Sequence, residues 1–183
     1  MTPDELPTRS TYLFLSCAQA AEQFAGTLAA TYPTPPLSTK ALLDRVLRRE
    51  MGLLVRYWVT RRIWEQLEDD EANAKALNLS LLRQFTSTFG LPKDGSGLRY
   101  AELSSLTDEL GELAHRITTA LGMSYRPLLD LLQQSIASWQ ETILQRTNEA
   151  VELPLDQLAP RVRTWLERSS EWRAARERDQ DVR

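Results

Sequence analysis

The sequence predicts an all-α fold, a single-domain bundle of five or six antiparallel helices, on three observations. The chain has 31 leucines and 18 alanines against six valines and four isoleucines, a composition that favours helix over strand when summed over a whole chain. Apolar residues recur at three- and four-residue steps rather than in alternation. Prolines and glycines fall between those stretches, where helices stop. At 183 residues, one compact domain buries roughly 70% of the surface its unfolded chain exposes, enough for a self-supporting core.

The first helix is expected from about Thr11 to Tyr32, with Leu13, Phe14, Cys17, Ala18, Ala21, Phe24, Ala25 and Leu28 on one stripe. Pro33, Pro35 and Pro36 then forbid continuation and make a stiff linker. Ser38 or Thr39 can cap a long second helix whose face is Leu43, Val46, Leu47, Met51, Leu54, Tyr57 and Trp58, and which can run past Gly52 to Leu67. A third helix carries Ala74, Leu77, Leu81 and Phe85. It is either capped by Asp69 or Asp70 or continuous with the second, and Gly90 ends it ahead of Pro92.

The segment Lys93-Asp94-Gly95-Ser96-Gly97 divides the chain into two similar halves, so a hinge is expected over 92–98. A fourth helix follows, with Ser105 and Asp108 in capping-box spacing, a stripe of Leu103, Leu106, Leu110, Leu113, Ile117 and Leu121, an acidic outer face, and Gly122 at its end. Ser124 is the candidate cap of a fifth helix, with Pro127 in its first turn and Leu128, Leu129, Leu132, Ile136, Trp139 and Ile143 inward. A sixth helix is expected from near Pro160, with Val162, Trp165, Leu166 and Trp172 inward. Residues 1–172 then form one helical domain, and the charged tail 173–183 is expected to fray.

Composition also narrows the compartment and the chemistry. One cysteine allows no intramolecular disulfide, which suits a reducing compartment. The apolar stretch Tyr12–Ala30 invites an export or lipidation reading at Leu15-Ser16-Cys17. Asp4 and Glu5 ahead of it oppose a signal peptide, and Gln19, Glu22 and Gln23 interrupt any span, so a cytoplasmic protein with no membrane span is expected.

His115 is the sole histidine. Glu112 and His115 have the E-x-x-H spacing of helical di-iron sites, but those sites need the motif twice, so no metal is expected. His115 points away from its helix's apolar stripe, towards Glu112 and Arg116, which argues against a haem pocket. Cys17 lies on an apolar stripe without a base beside it, as a buried structural thiol does. Phosphate-binding loops, dinucleotide fingerprints and G-x-S-x-G motifs do not occur, so neither a cofactor nor catalysis is expected.

The charges carry more information. Arginine outnumbers lysine 19 to 3, and arginine suits bidentate contacts to carboxylate and phosphate. Arg45, Arg49 and Arg56 fall within about 40° of one another on the second helix, with Arg48 on the flank. They are candidates for contact with phosphate or with an acidic partner, or else a solvated face. A net charge of −3 and a sequence pI near 5.3 weaken nonspecific nucleic-acid binding without removing a local patch. Glu50 falls inside the apolar stripe of the same helix, with Arg61 on that face three turns on. Either the helix changes phase at Gly52, or these groups find partners across the core or in another protein.

Five tryptophans exceed what a small helical core requires, and tryptophan is enriched among interface anchors. Ile63, Trp64, Leu79 and Leu144 leave their stripes and are the candidate protein interface. The functional expectation is a non-catalytic regulatory or adaptor protein that binds a protein partner or itself through helix faces. The alternative is a nucleic-acid-associated accessory subunit using the arginine stripe, and a third reading is a haem or small-ligand sensor.

Overall fold

The computed structural model describes residues 1–31, 37–89, 98–122 and 124–180, and side chains within them other than those of 25, 29, 31, 37–45, 47, 89, 98, 99 and 169–180. Among the described residues every regular element is helical: α1 (Leu6–Thr31), α2 (Leu37–Gln66), α3 (Glu71–Phe89), the single turn α4 (Leu98–Ala101), α5 (Leu106–Leu121), α6 (Tyr125–Glu152) and α7 (Leu155–Gln180). The all-helical fold is therefore as expected, with one extra turn, α4. The proline segment 33–36, the glycine-rich 92–97 of the expected hinge and the side chains of Arg45 and Trp172 lie outside the described residues.

Local chemistry sets the boundaries. Pro7 sits in the first turn of α1, where its missing N–H costs nothing, and α1 therefore begins at Leu6 rather than at Thr11. Helices α2 and α3 are separate. The Asp70 carboxylate accepts from the Asn73 backbone N–H at 3.2 Å and caps α3. Ser105 caps α5 by accepting from the Asp108 N–H at 3.1 Å, and Gly122 ends that helix at φ 64°, a left-handed conformation suited to glycine. Helix α7 starts five residues before Pro160, because the Pro154 carbonyl accepts from Gln157 and Leu158 and sets the first turn. Pro160 then removes only one helical hydrogen bond near that end.

Helix α2 lies at the centre, packed against α1, α3, α5 and α6. The apolar faces of all six long helices meet in one cluster. At its middle Trp139 of α6 stacks on Phe24 of α1 at 4.4 Å between ring centroids and meets Trp58 of α2 edge-on at 5.4 Å. The Trp139 indole N–H donates to the Ala20 carbonyl at 3.1 Å, so its polar edge is satisfied. Small residues on α1, among them Cys17 and Ala21, are fully buried and let the helices approach closely.

Two sequence expectations fail here for one reason, the number of neighbours a helix has. Ile63, expected at an interface, is fully buried, because α2 is enclosed on several sides and buries Leu53, Val55, Val59 and Ile63 as well as its main stripe. Leu166, expected inward, is exposed, because α7 rests chiefly on α1 and has only a narrow stripe covered. Leu158 and the Tyr12–Trp165 ring stack, with centroids 5.2 Å apart, hold that stripe.

A buried arginine ties the start of the chain to the α6–α7 corner. Arg9 of α1 is 7% exposed, and its Nη1 donates to the carbonyls of Ala150, Val151 and Leu153 at 2.9, 3.1 and 2.9 Å. These are carbonyls at the C-terminal end of α6, where helical donors run out and a cation is favoured. Glu5 balances the charge at 3.3 Å from Nε. Replacing Arg9 by alanine is expected to cost about 2–3 kcal/mol in urea unfolding, since a charged donor is lost and buried acceptors are stranded. Arg9→Lys is expected to recover only part of that, because an ammonium lacks the guanidinium fork.

Candidate functional site

The polar groups drawn inside the bundle gather mainly between α2 and α5. Glu50 is buried, and its Oε2 accepts from Arg116 Nε at 2.5 Å, while Arg49 Nε stands 4.0 Å from Oε1. Eleven residues along α2, Arg61 Nη1 lies 3.4 Å from Glu109 Oε1, and the other oxygen of Glu109 accepts from the Trp58 indole N–H at 2.6 Å. Arg61 also lies over the Tyr57 ring, 5.5 Å from its centroid. Glu50 and Arg61 therefore find partners across the bundle, on α5. Position numbers rise along α2 as they fall along α5, so the two helices run antiparallel.

Glu109 was not singled out by periodicity. It is only 2% exposed, although it lies on the acidic flank of its helix, about 40° around from Leu113 at 100° per residue. That proximity to the leucine stripe is the signal that could have found it. Tyr100 of α4 is also fully buried, its ring stacked on Tyr57 at 5.9 Å.

A second polar cluster joins α1, α6 and α7. The Tyr12 hydroxyl donates to Glu149 Oε2, which also receives Arg146 Nη1 at 2.9 Å and Arg161 Nη1 at 3.4 Å. Burial pushes the Glu149 carboxyl up, but the hydrogen bonds from Tyr12 and Arg146 and the charges of Arg146 and Arg161 outweigh it and hold its pKa below the ordinary value. Burial, then the bond to Glu149, raises that of Tyr12.

The remaining sequence candidates are dispersed. Of the arginine stripe, Arg49 is exposed beside Glu50, Arg48 on the flank is half-buried, and Arg56 is half-buried with its pKa lowered by that burial. Trp64 is 39% and Leu79 48% exposed, on the consecutive helices α2 and α3. Leu144 is partly buried and lines a shallow groove of about 400 Å³ on α6 with Ala137, Gln140, Glu141, Gln145 and Asn148. His115 is exposed. Cys17 is buried, and desolvation pushes its thiol up to about 12. Among the described residues no group of acidic, cysteine or histidine side chains is placed to hold a metal ion, and no helix is long and apolar enough to cross a membrane.

No protein-family model, curated protein or solved structure matches the chain.

Two measurements check this account. Glu149, with its folded pKa depressed, contributes stability that is present above the unfolded value of about 4.3 and is lost as pH falls through the folded value. Wild-type protein is therefore expected to lose stability on acidification below about pH 4.3, whereas Glu149→Gln starts less stable at neutral pH and shows a flatter acid limb in chemical denaturation. Cys17 is expected to resist a thiol reagent at neutral pH in the folded protein and to react fully on denaturation, as a protonated, solvent-shielded sulfur does.

Proposed function

We propose that the protein is a non-catalytic regulatory or adaptor protein that works by binding another protein through its outer helix faces. The observation that carries this reading is the exposure of Trp64 and Leu79 on consecutive helices. A tryptophan set in water instead of the core is the side chain most often found anchoring an interface. The buried polar groups support a structural role for the interior. Glu50, Glu109 and Glu149 have hydrogen-bond capacity engaged in joining one helix to the next, whereas a catalytic group must present it to substrate.

The arginine stripe lends less support to a nucleic-acid reading. Arg49 is exposed, but it stands near Glu50, and Arg56 is drawn partly into the fold. On the proposed reading the protein acts in the cytoplasm, where a lone buried thiol stays reduced.

The test is the paired substitution Trp64→Glu and Leu79→Glu. Circular dichroism and the thermal midpoint are expected to stay close to wild type, since both side chains are solvent-facing. Binding to a partner retained by the wild-type protein is expected to weaken at least tenfold, the scale of a lost anchor. Identical retained proteins for wild type and double variant, with both sedimenting as monomers at high concentration, would refute the proposal.

A further inference from the structure

Tyr100 presents a problem that the rest of the α2–α5 contact does not. Its side chain is fully buried, yet no protein group lies within hydrogen-bond reach of its hydroxyl. Burying a hydroxyl without a partner is costly, and such orphans are rare in folded proteins. The ring stacks on Tyr57 of α2, which sets the hydroxyl among charged groups. Glu50, Glu112 and Glu109 each act on it electrostatically, as does Arg116, and burial above all holds its proton in place.

The chemistry of these groups specifies their complement. A neutral tyrosine offers one O–H donor, whereas ionised carboxylates only accept. The Glu50 Oε2 oxygen is occupied by Arg116 at 2.5 Å, but Oε1, 4.0 Å from Arg49 Nε, retains lone pairs. Glu112 likewise has capacity beyond its long 4.0 Å approach to Arg116 Nη1. The group that fits accepts one hydrogen bond from Tyr100 and donates two to carboxylates. Water has that valence, and internal waters characteristically make about three such bonds to buried polar groups.

We propose that the Tyr100 hydroxyl, Glu50 and Glu112 form an internal binding site for one ordered water, which links the single turn α4 to both α2 and α5. The water accepts from Tyr100 and donates to the two carboxylates. It converts an orphaned hydroxyl into part of the α2–α5 polar network, and it makes Tyr100 a pin for α4. The site is independent of the exposed tryptophan and leucine on which the proposed function rests.

A high-resolution crystal structure of the full chain is the direct test. Density for a water about 2.7–2.8 Å from the Tyr100 oxygen, with a carboxylate of Glu50 or Glu112 on its far side, is the expected result. A hydroxyl bonded directly to a carboxylate, or one with no neighbouring density, overturns the proposal. Tyr100→Phe supplies a second readout in solution. If the hydroxyl is bridged, its removal is expected to raise the unfolding equilibrium constant about fivefold, the loss of one net hydrogen bond. A Tyr100→Phe protein as stable as wild type, or more stable, contradicts a bridged hydroxyl.

Discussion

A carboxylate inside a protein is tolerable only where a cation or a hydrogen-bond donor meets it, and two such groups determine how this bundle is assembled. Removing either partner from a buried pair typically costs about 3–5 kcal/mol, because an uncompensated charge remains. Glu50 of α2 and Glu109 of α5 are met from the opposite helix by Arg116 and by Trp58 with Arg61. The two contacts lie about two turns apart and point in opposite directions, one acid on each helix. Sliding α2 along α5 by a single residue would disrupt both, so the polar pairs define a register that leucine packing alone would leave loose. Because α2 also touches α1, α3 and α6, that register is passed on to the rest of the core.

Much of the fold was legible because it is written locally. The inward sets of α3 and α6 are buried as their spacing predicts, from Ala74 to Phe85 and from Leu128 to Ile143. The Ser105 cap and the Gly122 stop are likewise short-range features whose partners lie within four residues. What periodicity missed depends on distance along the chain. Arg9 meets Ala150 across 141 positions, Trp58 meets Glu109 across 51, and Glu50 meets Arg116 across 66. A helical wheel places each of these side chains on a face but says nothing of what stands opposite. Ile63 illustrates the same limit, since a wheel divides a helix into an inside and an outside, and α2 has an inside on several sides.

The candidate interface was legible in part, for a related reason. Trp64 and Leu79 leave their stripes and are exposed, because at those positions no neighbouring helix covers the off-stripe direction. Leu144 is intermediate: α6 is packed by α1, α2 and α5, and its outer side closes only partly around that leucine. The arginines follow the same geometry. Residues on one line of α2 differ in exposure because their neighbours change along the axis, leaving Arg49 exposed and Arg56 half-covered seven residues later.

The Arg9 clamp also orders events in the birth of the chain. Arg9 leaves the ribosome near the start of synthesis, but the carbonyls it binds belong to residues 150–153, so the first helix waits for most of the polypeptide before its N-terminal end can be locked. Trp139, against which Phe24 stacks, arrives almost as late. During that interval α1 has α2 and α3 to lean on while its faces towards α6 and α7 remain uncovered. A bundle of neighbouring hairpins can condense quickly from local contacts. This one ends its assembly with a long-range closure, and nascent chains stalled before α6 would present Tyr12, Phe24 and the apolar side of α1 to solvent, the kind of surface that holdase chaperones and aggregation compete for.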